Sequence, residues 1–185
     1  MFYIPWLYSR LAFAPGPHAI LSGSSANTMS DHTQYMQHAI QLATENVTSG
    51  RGGPFGCVIV RKGEVLSATP NTVTSTNDPT AHAEINAIRA ACTKLESFSL
   101  EDCDVYTSCE PCPMCLAAIY WARCRKVYYG NSAQDASDAG FDDGSIYREI
   151  QKTTVERSLP SERMMAAEAM VSFDQWRSAT EKTHY

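Results

Sequence analysis

Two short clusters hold the residues best suited to chemistry: His82-Ala83-Glu84, and Pro111-Cys112-Pro113-Met114-Cys115 about thirty positions on. An imidazole and two thiols are a soft, borderline donor set of the kind that selects zinc. Cys112 and Cys115 stand three residues apart, so in the first turn of a helix they share one face, where the positive end of the helix dipole favours the metal-binding thiolate. Three protein ligands leave a fourth position for water, which Zn²⁺ acidifies towards a pKa of about 7. Glu84 follows the imidazole by two residues, close enough to exchange protons at the site without ligating the metal. Cys109 forms a second, overlapping Cys-x-x-Cys with Cys112. A closed structural site of His82, Cys109, Cys112 and Cys115 is therefore the alternative, although such a site would have no use for Glu84.

The elements that must position these groups follow from periodicity and turn residues. Asp31 with Gln34 resembles a capping box, and apolar residues at 35/36, 39/40, 42/43 and 47 continue at helical spacing until Ser49-Gly50. Residues 55–60 and 65–68, separated by Lys62-Gly63, read as a hairpin. The polar stretch 71–80 shows neither period and reads as loop. An Ala-rich helix is expected over about 81–94, a buried strand at 105–107, and a helix over 113–123 with proline in its first turn. A strand at 126–130 follows, then helices over 132–139 and 173–182. The order β-β-α-β-α-β implies an α/β fold with helices laid on a central sheet, and both chemical clusters then fall at helix starts.

The chain of 185 residues has the composition of an ordinary globular domain, 44% apolar and 19% charged, with no run long enough to span a membrane. Its net charge of -5 argues against a broad footprint on nucleic-acid phosphates, so no nucleic-acid partner is expected and a small ligand is the default. Seven cysteines, an odd number without framework spacing, point to a reducing, cytoplasmic setting. Residues 1–28 differ from the rest: Pro5, Pro15 and Pro17 interrupt them, and the basic start of a secretory signal is missing. They are expected to be a disordered extension or to precede the true start at Met29, leaving 29–185 as one catalytic domain.

His-x-Glu followed by Pro-Cys-x-x-Cys is the pattern of zinc nucleobase deaminases. From Asp31 to Tyr185 the chain resembles bacterial guanine deaminases of the cytidine-deaminase fold. The likeness runs through Gly52-Gly-Pro-Phe-Gly56, Thr76-Asn-Asp-Pro-Thr-Ala-His-Ala-Glu84, Tyr106-Thr-Ser-Cys-Glu-Pro-Cys-Pro-Met-Cys115, Ala118-Ile-Tyr-Trp-Ala-Arg123 and Gly140-Phe-Asp-Asp143, and extends to Trp176 and Tyr185. The resemblance implies a three-layer α-β-α sandwich with a mixed central sheet, and zinc-dependent hydrolysis of guanine to xanthine and ammonia in purine catabolism. It implies zinc on His82, Cys112 and Cys115, and Glu84 as the catalytic proton shuttle. Phe55 would stack on the base, Asn71 would hydrogen-bond the ring, Asp143 would read guanine, and Tyr185 would close the pocket. It also implies a homodimer whose C-terminal segments are exchanged between subunits. A carboxylate suits guanine because N1–H and the 2-amino group form adjacent donors, a pattern adenine and cytosine lack. Deamination of guanosine, cytosine or a triazine, or of adenosine in tRNA, is the alternative within the same chemistry.

Overall fold

The computed structural model describes residues 29–184; residues 1–28 and Tyr185 lie outside them, and with them the expected extension and the expected pocket closure. Four strands form one mixed sheet in the order β2-β1-β3-β4. β1 (Gly56–Arg61) pairs antiparallel with both β2 (Glu64–Pro70) and β3 (Cys103–Cys109), and β3 pairs parallel with β4 (Lys126–Asn131). A parallel pair needs a crossover, and α4 (Pro113–Trp121) supplies it.

Side-chain alternation along the two central strands builds the layers. Val58 and Val60 of β1 and Tyr106 of β3 face α1 (Met29–Thr48), packing with Ala39. Cys57, Ile59, Cys103 and Val105 point the other way, against Ala83, Ala87 and Ala91 of α3 (Ala83–Leu95) and Ile119 of α4. Small alanines let α3 lie close to the sheet. This is the expected three-layer arrangement. Every residue of β3 is buried, including Asp104, whose carboxylate accepts two bonds from the Arg125 guanidinium at 2.9 and 2.6 Å. Gly56 marks the tightest approach of α1 to the sheet, since a Cβ there would run into the carbonyl of Ala39.

Several boundaries differ from those the sequence suggested. α1 begins by Met29, so Asp31 sits inside its first turn instead of capping it. The stretch expected to be a loop before α3 contains one helical turn, α2 (Val73–Thr76). α5 (Ala133–Asp138) is capped by Ser132, which exchanges bonds with Asp135 as a capping box. An unanticipated helix, α6 (Gly144–Gln151), follows the Gly140-Phe-Asp-Asp turn, and a single 3₁₀ turn spans Thr154–Glu156. The last helix, α7 (Ala166–Ser178), starts seven residues earlier than expected and ends at Ser178 instead of 182. No helix among the described residues is long and apolar enough to cross a membrane.

Candidate active site

The carboxyl end of β3 meets the starts of two helices, and there the site is built. His82 is the N-cap of α3 and Cys112 the N-cap of α4, both in extended backbone that aims their side chains past the helix ends. Pro113 fixes the first turn of α4 and so the placement of Cys115. His82 Nδ1 lies 3.6 Å from Cys112 Sγ and 3.5 Å from Cys115 Sγ, and the three donor atoms all fall within 4.8 Å of one another. A tetrahedral ion with Zn–S of about 2.3 Å and Zn–N of about 2.1 Å spans N···S edges of about 3.6 Å. The donor set and its spacing therefore fit zinc. Cys109 is not part of this group: its thiol donates to Ser132 O at 3.6 Å, and burial, with the nearby charge of Glu84, pushes its pKa up to about 11.

Glu84, in the first turn of α3, is nearly fully buried. Its Oε1 accepts a bond from the Thr107 hydroxyl at 3.0 Å, and Oε2 accepts from the Cys115 thiol at 3.4 Å. Burial raises the Glu84 pKa. Within the thiol pair, the bond from Cys115 and the contact with His82 pull Cys112 down to about 4, while Cys115 is pushed far up by holding the shared proton and by burial. The bond to Cys112 raises His82.

These groups open into a cavity of about 590 Å³. Its walls include Phe55, Asn71, His82, Glu84, Cys112 and Asp143, so every site residue expected from the sequence is gathered there except the deeper, fully buried Cys115, and Tyr185, which is not described. Asn71 Oδ1 accepts from Val73 N at 3.1 Å, which turns the Nδ2 end of the amide away from the α2 backbone. Asp142 and Asp143 are not equivalent. Asp142 Oδ1 is occupied by Gly144 N at 2.9 Å, whereas Asp143, the N-cap of α6, makes no side-chain capping bond. Burial and the Cys112 charge raise the Asp143 pKa.

Three contributors escaped sequence reasoning. Thr107 lies in a stretch expected only to be a buried strand. Phe141 meets Phe55 edge-on, with ring centroids 5.0 Å apart, and so steadies the aromatic wall. Tyr147 of α6 donates to Pro111 O at 3.2 Å, tying the segment that carries Asp143 to the one that carries Cys112. Phe141 had a signal in the Gly140-Phe-Asp-Asp turn; Thr107 and Tyr147 had none.

Residues 29–131, which contain the three metal donors and Glu84, match the zinc-binding region of cytidine and deoxycytidylate deaminases. The chain belongs to that deaminase family. Among curated deaminases, the guanine deaminase of Bacillus subtilis is 49% identical over 155 residues, covering 84% of this chain and 99% of the relative. The X-ray structure of guanine deaminase from Bacillus subtilis superposes with a TM-score of 0.81 at 49% identity, covering 83% of this chain and 98% of that one. A tRNA-specific adenosine deaminase from Agrobacterium fabrum is 40% identical over 116 residues, 63% of this chain and 74% of the relative. The likeness to guanine deaminase thus runs over the segment that carries Asp143 as well as over the zinc-binding region.

Proposed function

We propose that this deaminase hydrolyses guanine to xanthine and ammonia. The observation that carries the reading is a zinc-type cluster sharing one cavity with Asp143, a carboxylate that makes no capping bond to its own helix. His82 Nδ1 and the Cys112 and Cys115 sulfurs would hold the metal. Zinc, when bound, supplies Lewis acidity, making water a nucleophile near neutral pH. Glu84 Oε2 takes a proton from the attacking water, returns it to the ring nitrogen beside C2, and carries the second proton to the departing amine. Thr107 holds Oε1 throughout, and Cys115, which would give up its thiol proton as a metal ligand, would no longer donate to Oε2, leaving that oxygen as the working atom.

Asp143 accepts from the guanine donors, Asn71 presents its amide to another ring edge, and Phe55 stacks on the base. The likeness over nearly the whole length of a guanine deaminase favours this substrate over adenosine in tRNA, and the net charge of -5 gives phosphates little to bind. Seven free thiols suit a reducing cytoplasm, where the reaction would serve purine breakdown.

We further propose that the C-terminal segment crosses to a second copy of the chain, bringing Tyr185 to the partner's cavity. In support, α7 has no buried residue and leaves Val171 and Phe173 more than half exposed, while Tyr120 and Trp121 at the end of α4 are 76% and 65% exposed. Large apolar side chains left in this number on one small domain mark an interface. Light scattering should give twice the 20.4 kDa chain mass, and a monomer would count against the exchange.

The deciding assay is ammonia release from guanine, guanosine, cytosine and adenine in parallel. Guanine should be the preferred substrate, and Glu84→Ala should retain fold and zinc while losing turnover. Preference for another base refutes the substrate, and an active Glu84→Ala refutes the shuttle.

A further inference from the structure

A buried amide that ends an otherwise apolar helix face needs a physical reason, because burial of a polar group is costly unless its bonds are made. Asn46 is the last buried position on α1 and only 1% exposed. Its Nδ2 donates to two carbonyls, Gly53 O at 2.9 Å and Asn71 O at 2.8 Å. Both partners are acceptors, which fixes the amide with nitrogen towards them, and Oδ1 is left buried with no hydrogen-bond partner among the described residues. The side chain is thus kept for its two donors at the expense of its acceptor.

Those two carbonyls belong to the two segments that carry the cavity's base-binding wall. Gly53 O also accepts from Phe55 N at 2.8 Å, and Phe55 O accepts from Asn71 N at 3.0 Å. At Gly52 the packing leaves no space for a side chain: a Cβ would stand 2.6 Å from Asn71 O and 2.7 Å from Asn46 Nδ2. The end of α1, the turn before β1 and the segment after β2 therefore meet at one amide.

We infer that Asn46 is a positioning residue for substrate binding: its amide sets the spacing between Phe55 and Asn71, so that stacking and ring hydrogen bonding reach one flat purine together. The inference rests on the assignment of Phe55 and Asn71 to the substrate. Its hydrogen bonds reach none of α3, β3 or α4, the elements that carry Glu84, Thr107 and the metal donors. Loss of the clamp should weaken base binding and spare the chemical step.

The test uses Asn46→Leu, which keeps the size and removes the donors, with Asn46→Asp and Asn46→Ala so that any soluble variant gives the reading. KM for guanine and the inhibition constant of the product xanthine should rise together by about tenfold, with kcat per zinc within about twofold of the parent, as expected for lost binding-wall hydrogen bonds. Zinc content should not change. A role in packing alone would lower thermal stability and the active fraction while KM and the xanthine constant hold, and that result overturns the inference. Asn71→Ala is the reference. If it raises KM and the Asn46 variants do not, the clamp is refuted and the substrate assignment stands; if it leaves KM unmoved, the assignment falls and the clamp with it.

Discussion

Thr107→Val tests how the carboxylate at the centre of the site is held. The exchange deletes one hydroxyl from a fully buried position on β3 and nearly preserves its shape. That hydroxyl donates to Glu84 Oε1 at 3.0 Å, and Glu84 itself is only 5% exposed, so water has little access to replace the bond. A hydrogen bond to a charged group contributes about 1.5–3 kcal/mol, a factor of about 10 to 150 in rate if the working state of Glu84 loses all of it. KM for guanine should change little, because Thr107 does not line the cavity. The direction with pH also follows. Burial raises the Glu84 pKa and the Thr107 bond lowers it, so removing the bond raises it further. Activity that needs the carboxylate then fails at a higher pH, and the acidic limb of kcat/KM moves upward. Initial rates of ammonia release from about pH 5 to 9, for Thr107→Val and for Thr107→Ser, which keeps the donor, measure both effects. Unchanged kcat and pH profile in the valine variant, or equal damage in the serine variant, would refute the reasoning.

Cys109→Ser should keep one zinc per chain and activity within about threefold, because its thiol lies outside the donor cluster; loss of stoichiometric zinc by elemental analysis would return it to the ligand set. Asp143→Asn keeps the shape and removes the charge, so kcat/KM for guanine should fall about 10- to 100-fold at constant zinc content, and an unchanged ratio would remove Asp143 from substrate recognition. Zinc uptake by metal-free protein should release about one to two protons near pH 7, since Cys112, at about 4, is already thiolate while Cys115 and His82 are both shifted upward. Calorimetry in buffers of different ionisation enthalpy reads that number. Zinc affinity should accordingly weaken as pH falls, and pH-independent binding would contradict the thiol assignments.

What the sequence made legible, and what it hid, divides along a physical line. The metal donors and Glu84 could be read because each pair sits within one turn of a helix start, where spacing alone decides which side chains face together. The chain order of strands and helices could be read because short β-forming runs at β1, β3 and β4 are separated by turn residues and helical spacing, and Phe55, Asn71 and Asp143 came through the family resemblance. Side chains that act across the fold leave no such trace. Thr107 meets Glu84 across 23 positions and Asn46 meets Asn71 across 25, and neither separation belongs to any period. On α1 the apolar pattern pointed to Val47, yet Val47 is 51% exposed and its polar neighbour Asn46 is buried, because two carbonyls wait for donors at that point and a valine has none to give. His32 of α1 lies 2.6 Å from the hydroxyl of buried Tyr106 and beside the Tyr128 ring, a contact across 74 positions that no local pattern marks. α6 was not expected because Gly140 and Gly144 bracket its start and read as a turn; Asp143 there is a favoured N-cap residue type, yet its side chain makes no capping bond. The missing cap is itself informative, since a carboxylate that does not serve its own helix is available to a ligand in the cavity it lines. The same reasoning holds for Asn46 and Thr107, whose polar groups at core positions are explained by the neighbours they orient and not by the elements that contain them.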